Sequence, residues 1–330
     1  MFIALDTSSD ATWVPCSGCS GCPSSTLFSP FSSSTYSTIS CFFPSCFQLK
    51  GFCNATADAP PCAFNQSYGS DSFSAILSGD SLRLAQDIAA NYSFGSVNAV
   101  SGGDSLPKQG LLGLSRGPTS LLSQTGPMYQ GVFSYCLPSF KSYYFSGSLK
   151  LGPVGQPRSI RTTPLLHNPH RPSLYYVNLT GLSVGKTQVA VPPGRLAFDP
   201  VTGAGTIIDS GTVITRFVKT VYEALRNEFR RQVGAESYSS LGAFDTCFND
   251  AVAPSVPVVT LHFEGMDLAL PAENTLIHSS ATPLACLAMA AAPDNVNNVV
   301  NVIANLQQQN LRVLFDVAGS RVGFARELCN

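Results

Sequence analysis

Two segments far apart in this chain repeat one another, and that repeat limits the fold more than any other feature. Phe2-Ile3-Ala4-Leu5 leads into Asp6-Thr7-Ser8-Ser9, and Gly205-Thr206-Ile207-Ile208 leads into Asp209-Ser210-Gly211-Thr212. Each is an apolar strand ending in Asp, a hydroxyl residue, a small residue and a second hydroxyl residue. Further on, each half has a second apolar run closed by a small residue: Gly110-Leu111-Leu112-Gly113 and Asn301-Val302-Ile303-Ala304. A chain that repeats itself in this way builds its fold from similar units. The expectation is a pseudo-twofold molecule with one Asp from each half.

The remaining sequence favours strands. Short apolar runs separated by Gly and Pro, in a chain rich in Ser, Thr, Val and Phe, suit an all-β protein with a few short helices. Residues 175–182 alternate as a half-buried strand does, and 312–324 read as strand, turn and strand around Ala318-Gly319-Ser320. Val221, Leu225, Phe229 and Val233 recur every fourth position, which predicts an amphipathic helix over 219–233. A shorter helix is expected over 119–124, after Pro118. Gly152-Pro153-Val154-Gly155-Gln156-Pro157 marks the expected boundary, giving an N-terminal lobe of 1–154 and a C-terminal lobe of 155–330.

Charge excludes some functions. Charged residues make up 12% of the chain, against roughly 25% in ordinary soluble proteins. With 19 basic and 20 acidic residues the net charge is −1, which argues against a nucleic-acid or anionic-membrane partner. The densest basic stretch, 226–231, contains Glu228 and reads as a solvated helix face. The longest apolar run, 284–292, is too short to cross a bilayer. The first residues have no basic segment followed by an apolar one, so no secretory signal is expected there.

Seven of the eleven cysteines fall between Cys16 and Cys62. Cys16, Cys19 and Cys22 form a C-x2-C-x2-C run that would suit zinc, but such a site wants a fourth ligand and usually a second pair. The scatter of the others in a Ser-rich, Lys-poor chain favours disulfides. An odd count leaves one thiol over or pairs it between chains. Sequons at Asn54, Asn65, Asn91 and Asn178 are glycosylation candidates.

The repeated Asp suggests paired-carboxylate chemistry. Two carboxylates brought face to face cannot both ionise, so they share one proton. The ionised member can take a proton from water while the protonated member hydrogen-bonds a carbonyl. Asp6 and Asp209 are the candidates, with Thr7, Ser9, Ser210, Gly211 and Thr212 supporting them. Thr7 and Ser210 would brace the loops, and Ser9 and Thr212 would reach the outer carboxylate oxygens. A single such Asp is more often a strand-end turn residue; the duplication favours catalysis. Gly113-Leu114-Ser115-Arg116-Gly117 fits a serine-hydrolase elbow, but Pro118 follows at once and His262 and His278 lack a recognisable partner context. His167 and His170 lie in a Pro-rich loop without a carboxylate neighbour and read as surface. No metal or cofactor is expected.

The sequence resembles pepsin-like aspartic proteases, and among them the plant nepenthesin-like branch, over essentially its whole length. Leu5-Asp6-Thr7, Trp13-Val14-Pro15-Cys16, residues 109–116 and Phe133-Ser134-Tyr135-Cys136-Leu137 carry the resemblance in the first half. Residues 204–216, 301–310 and 313–325 carry it in the second. It is similar to apoplastic and chloroplast-nucleoid-type plant members. The resemblance implies a bilobal fold and an aspartic-type endopeptidase acting on polypeptides at acid pH. It further implies a monomer without cofactor, sensitive to pepstatin-type inhibitors, in a secreted or apoplastic setting (vacuole or plastid being alternatives). It makes Tyr68 and Gly69 part of a substrate-covering flap and Trp13 the tryptophan that hydrogen-bonds the flap tyrosine. The alternative for Tyr68 and Trp13 is ordinary core aromatics, and the functional reading is favoured over it.

The resemblance also implies disulfides Cys16–Cys19, Cys41–Cys62, Cys46–Cys53, Cys136–Cys329 and Cys247–Cys286. Cys22 becomes the odd thiol, because Ser96 stands where its usual partner would be. Ser8 and Ala304 replace family glycines, so Ser8 must avoid positive φ or carry strain. Family members place about two strands before the first catalytic Asp; reaching it at position 6 leads one to expect an open sheet edge. The rival reading is a binding or inhibitor protein that kept the fold and lost the chemistry.

Overall fold

The computed structural model describes residues 3–22, 27–53, 58–68, 70–102, 105–142, 147–294 and 299–329. Strands follow one another along nearly all of it, as the composition predicts, and divide into two units, Met1–Met128 and Tyr129–Asn330. In the first unit one sheet runs in the order Ala4–Asp6, Leu111–Gly113, Trp13–Ser20, Asp87–Ser101, Asp71–Leu84, Cys62–Tyr68, Phe52–Cys53. Alternate residues of Asp71–Leu84, namely Phe73, Ala75 and Leu77, point inward onto Trp13, Phe64, Val97 and Leu111. That period of two is what a sheet with one buried face requires. Ala4–Asp6 stands at the end of the sheet order.

The second unit has a ten-stranded sheet and two four-stranded ones. A long helix of this unit spans Lys219–Val233 as the spacing predicts, burying Val221, Tyr222, Leu225 and Phe229 and ending on Gly234 at φ 61°. The short helix Leu121–Gln124 of the first unit starts two residues later than expected, where the Ser120 side chain caps it. Strands Leu311–Asp316 and Arg321–Arg326 form the anticipated hairpin. Val132–Cys136 pairs with Leu311–Asp316 and carries Ser148–Leu151 on its other side. Phe133 stacks on Phe315 with centroids 4.7 Å apart. These pairings join Val132–Cys136 and Ser148–Leu151 to the second unit's sheet.

Five disulfides are present: Cys19–Cys22, Cys41–Cys53, Cys46–Cys62, Cys136–Cys329 and Cys247–Cys286. The last two are those the resemblance implies. In the first unit the pairing differs, and each difference has a geometric cause. Cys46, on the helix Pro44–Gln48, and Cys62 are both fully buried and meet beneath Gly51, where a Cβ would strike both sulfurs. Cys53, exposed on its short strand, is left for Cys41. Cys19 closes a tight loop with Cys22, so the free thiol is Cys16 and not Cys22. Cys16 is buried beside strand Asp87–Ser101, where Pro15 pairs with Val97 and the Cys16 thiol hydrogen-bonds the Ser96 hydroxyl. Ser96 therefore faces Cys16. Burial pushes that thiol above its ordinary value.

Candidate active site

In the first unit Ala4–Asp6 runs parallel to Leu111–Gly113, with Asp6 opposite Gly113, and Trp13 pairs with Leu111 from the other side. The chain between Asp6 and Trp13 therefore loops over one central strand. Asp6 is 4% exposed. Its Oδ1 accepts from the Ser8 N–H and the Ser8 hydroxyl, each at 2.8 Å, and its Oδ2 accepts from the Ser9 hydroxyl at 2.6 Å. Ser9 Oγ also lies 3.2 Å from the Tyr68 hydroxyl, which accepts from Trp13 Nε1 at 3.3 Å. A serine hydroxyl has one proton. Since Ser9 gives it to Asp6, Tyr68 donates to Ser9, and a directed chain runs Trp13, Tyr68, Ser9, Asp6. Burial pushes the Tyr68 phenol up, with the Asp6 charge adding to it, so Tyr68 keeps the proton it donates. Ser8 avoids positive φ, so replacing glycine there strains nothing. Gly69 and Asn54 lie outside the described residues.

The second unit repeats this architecture. Gly205–Ile208 runs parallel to Val300–Ile303, and Arg216 pairs with Val302 from the other side. Asp209, 5% exposed, accepts from the Gly211 N–H at 2.8 Å and from the Thr212 hydroxyl at 2.6 Å. Thr7 and Ser210 are both buried. Beneath Asp209 sits a polar platform that the sequence reading did not single out. Gln308 Nε2 donates to the Asp209 carbonyl at 3.0 Å and the Ile303 carbonyl at 2.8 Å, while the Tyr135 hydroxyl donates to its Oε1. Gln307 Nε2 donates to the carbonyls of Asn274 and Ala288.

Thr12 and Thr215 were missed as well. Gly113 N–H donates to Thr12 Oγ1 at 3.1 Å and Ala304 N–H to Thr215 Oγ1 at 2.9 Å, so each threonine pins its unit's central strand to the loop that carries the Asp. Each stands six positions after its Asp, a shared spacing that would have revealed them. The two closing residues differ for a steric reason. A Cβ on Gly113 would fall on the Asp10 carbonyl, whereas Ala304 is extended and fully buried without difficulty.

Ser115 does not sit on a nucleophile elbow. It is fully buried, its N–H donates to the Ser9 carbonyl and its hydroxyl to the Asp10 carboxylate. His262 does have partners: Nε2 lies 2.6 Å from Ser183 Oγ and Nδ1 2.7 Å from Asp267 Oδ1. These three form a cross-strand row on the outward face of an antiparallel sheet, with Ser183 on an inner strand paired on both sides. Among the sequons, the Asn65 side chain accepts from Ser74, Asn91 is exposed at φ 55°, and Asn178 donates to Glu264.

Two family models match, "Xylanase inhibitor N-terminal" over residues 1–153 and "Xylanase inhibitor C-terminal" over 174–326. Aspartyl protease 25 of Oryza sativa subsp. japonica is 61% identical over 100% of this chain and 79% of its own length. The chain belongs to the plant aspartyl protease family. A second relative, aspartyl protease AED3 of Arabidopsis thaliana, is 64% identical over 100% of this chain and 74% of that protein. Aspartic proteinase nepenthesin-1 of Nepenthes gracilis is 34% identical over 98% of this chain and 74% of that protein, which agrees with the nepenthesin-like resemblance. Conglutin gamma from lupine seeds matches with a TM-score of 0.74 at 20% identity, covering 98% of this chain and 87% of that one. That likeness supports the fold of this family member.

Proposed function

We propose that this aspartyl protease family member is an aspartic-type endopeptidase in which Asp6 and Asp209 act as the catalytic pair. The observation that carries the reading is the repeated cradle: each Asp ends a strand, sits beside a parallel central strand and holds a main-chain donor on Oδ1 and a hydroxyl donor on Oδ2. Donors to both oxygens leave each carboxylate held in one orientation, as a positioned acid or base must be. As in aspartic protease pairs generally, one proton is shared between the two. The ionised member takes a proton from water, the water attacks the peptide carbonyl, and the protonated member supports the developing oxyanion before a proton passes to the leaving amine. Tyr68, at the end of Cys62–Tyr68, covers the substrate as a flap. A cavity of about 240 Å³ beside Trp13, walled by Pro15, Val97, Val100, Leu106 and Lys108, suits a substrate side chain. The substrate is an extended polypeptide, and the enzyme acts at acid pH. Five disulfides fit an oxidising compartment, so we place the protein in the secretory or apoplastic space.

The test is cleavage of acid-denatured haemoglobin with and without pepstatin, alongside Asp209→Ala. Pepstatin-sensitive cleavage lost in the variant is the expected result. Soluble, folded protein that cleaves nothing, or cleavage that survives the substitution, overturns the reading.

A further inference from the structure

Four phenylalanines of the first unit stand in solvent instead of joining its core. Phe42, Phe43, Phe47 and Phe52 are 64, 59, 67 and 47% exposed. The chain gathers them in one place. Phe43 caps the helix Pro44–Gln48 and Phe47 stands one turn further on, while the buried residue of that helix is Cys46, bridged to Cys62. Phe42 follows Cys41 and Phe52 precedes Cys53, and those two cysteines are bridged with Cα atoms 5.3 Å apart. Two disulfides therefore fix the backbone of this knob, so its rings need not pack inward to hold it. At about 200 Å² for a whole phenylalanine, the four expose roughly 450 Å². Apolar patches of that size mark contact sites.

Charge and area bear on what covers it. Within residues 11–57 the one charged side chain is Lys50, exposed between Phe47 and Phe52, and Asp10 and Asp58 bound the stretch. Stable protein interfaces bury about 800 Å² on each partner, with paired polar groups around an apolar centre. The rings supply about half of that, and one charge is left to pair the rest. A bilayer surface requires no such pairing. It takes protruding apolar side chains beneath its headgroups and lets a lysine reach a phosphate. We propose that this knob inserts into the surface of a phospholipid bilayer, the four rings entering the boundary between headgroups and acyl chains and Lys50 reaching lipid phosphate. The net charge of −1 gives the chain no broad attraction to anionic lipid, so the rings carry the binding and zwitterionic lipid suffices. The contact lies within the first unit and is independent of the reading of Asp6 and Asp209.

The experiment is flotation of the full chain with vesicles of phosphatidylcholine alone and of phosphatidylcholine with phosphatidylserine. The wild type should float with both, in high salt as in low. Replacing two rings together, Phe42→Ser with Phe47→Ser, should lower the partition coefficient by about tenfold or more, as their burial is forfeited. Lys50→Ala should lower it about fivefold on the phosphatidylserine vesicles and little on the others. Both replaced rings are exposed, and an unchanged count of one free thiol per chain checks that the bridges of the variant have formed. Phe47→Trp reads insertion directly, since Trp13 is buried. Its emission should shift to shorter wavelength with vesicles and be quenched by brominated phosphatidylcholine. A wild type that does not float, floats only in low salt, or floats no better than the double variant overturns the proposal. Wild-type dimers that the double variant cannot form, without vesicle binding, would overturn it in favour of a second copy on the patch.

Discussion

Single side chains decide which cysteine stays free. Cys16 hydrogen-bonds the Ser96 hydroxyl in a buried spot between neighbouring parallel strands, so Ser96 stands where a partner sulfur would close a bridge. Ser96→Cys should therefore form a sixth disulfide with Cys16. Thiol titration under denaturing, non-reducing conditions should find one thiol per chain in the wild type and none in the variant; two would show that the side chains do not meet. The bridge would stabilise the unit by on the order of 2 kcal/mol, less than the bare loop length suggests because other bridges already constrain the denatured chain. The sequence made it clear that one cysteine has no partner within the chain. It did not reveal which, because three cysteines spaced by two look alike until strand register puts one of them beside Ser96. The exchange of partners among Cys41, Cys46, Cys53 and Cys62 has the same origin, since spacing carries no information about which sulfurs converge under Gly51.

At the scale of elements, each Asp of the proposed pair depends on a central strand that the chain passes on both sides, and the fit of that strand is unequally tight. Gly113 abuts the Asp10 carbonyl with no room for a Cβ, and its N–H is held by Thr12. Gly113→Ala should push the strand off the Asp6 loop and cost about 2 kcal/mol or more, the range of overpacked sites with a lost buried hydrogen bond. Ala304→Gly should cost only about 1 kcal/mol, as loss of a buried methyl and added backbone freedom. Urea unfolding would measure both, and equal losses would contradict the asymmetry. These elements were legible because the repeat is in the residues that make them: apolar runs, Asp, hydroxyl, small residue. The helix Lys219–Val233 was legible because its burial follows one period. The platform of Gln307 and Gln308 was not, since polar side chains bonding main-chain carbonyls leave no periodic trace.

For the molecule as a whole, the proposed work in acid sets a limit through carboxylates that folding keeps ionised. Glu327 is held below its ordinary 4.5 by Arg312, whose guanidinium is 1% exposed and also reaches Ser148. Burial works against ionisation of Asp245, yet hydrogen bonds from Tyr222, Arg226 and Thr246 keep it below its ordinary 3.8. A carboxylate depressed in the folded state contributes stability that is complete above its unfolded value and is lost as pH falls through the folded one. Stability should thus be level above about pH 5 and fall below it. The fall is shared among few groups, because charged residues are only 12% of the chain. Glu327→Gln isolates one of them. Its melting temperature should lie below that of the wild type at neutral pH and converge on it in strong acid, where Glu327 is protonated in both states. An offset that stays constant at every pH would mean that Glu327 contributes by packing, with its charge of no consequence to acid tolerance.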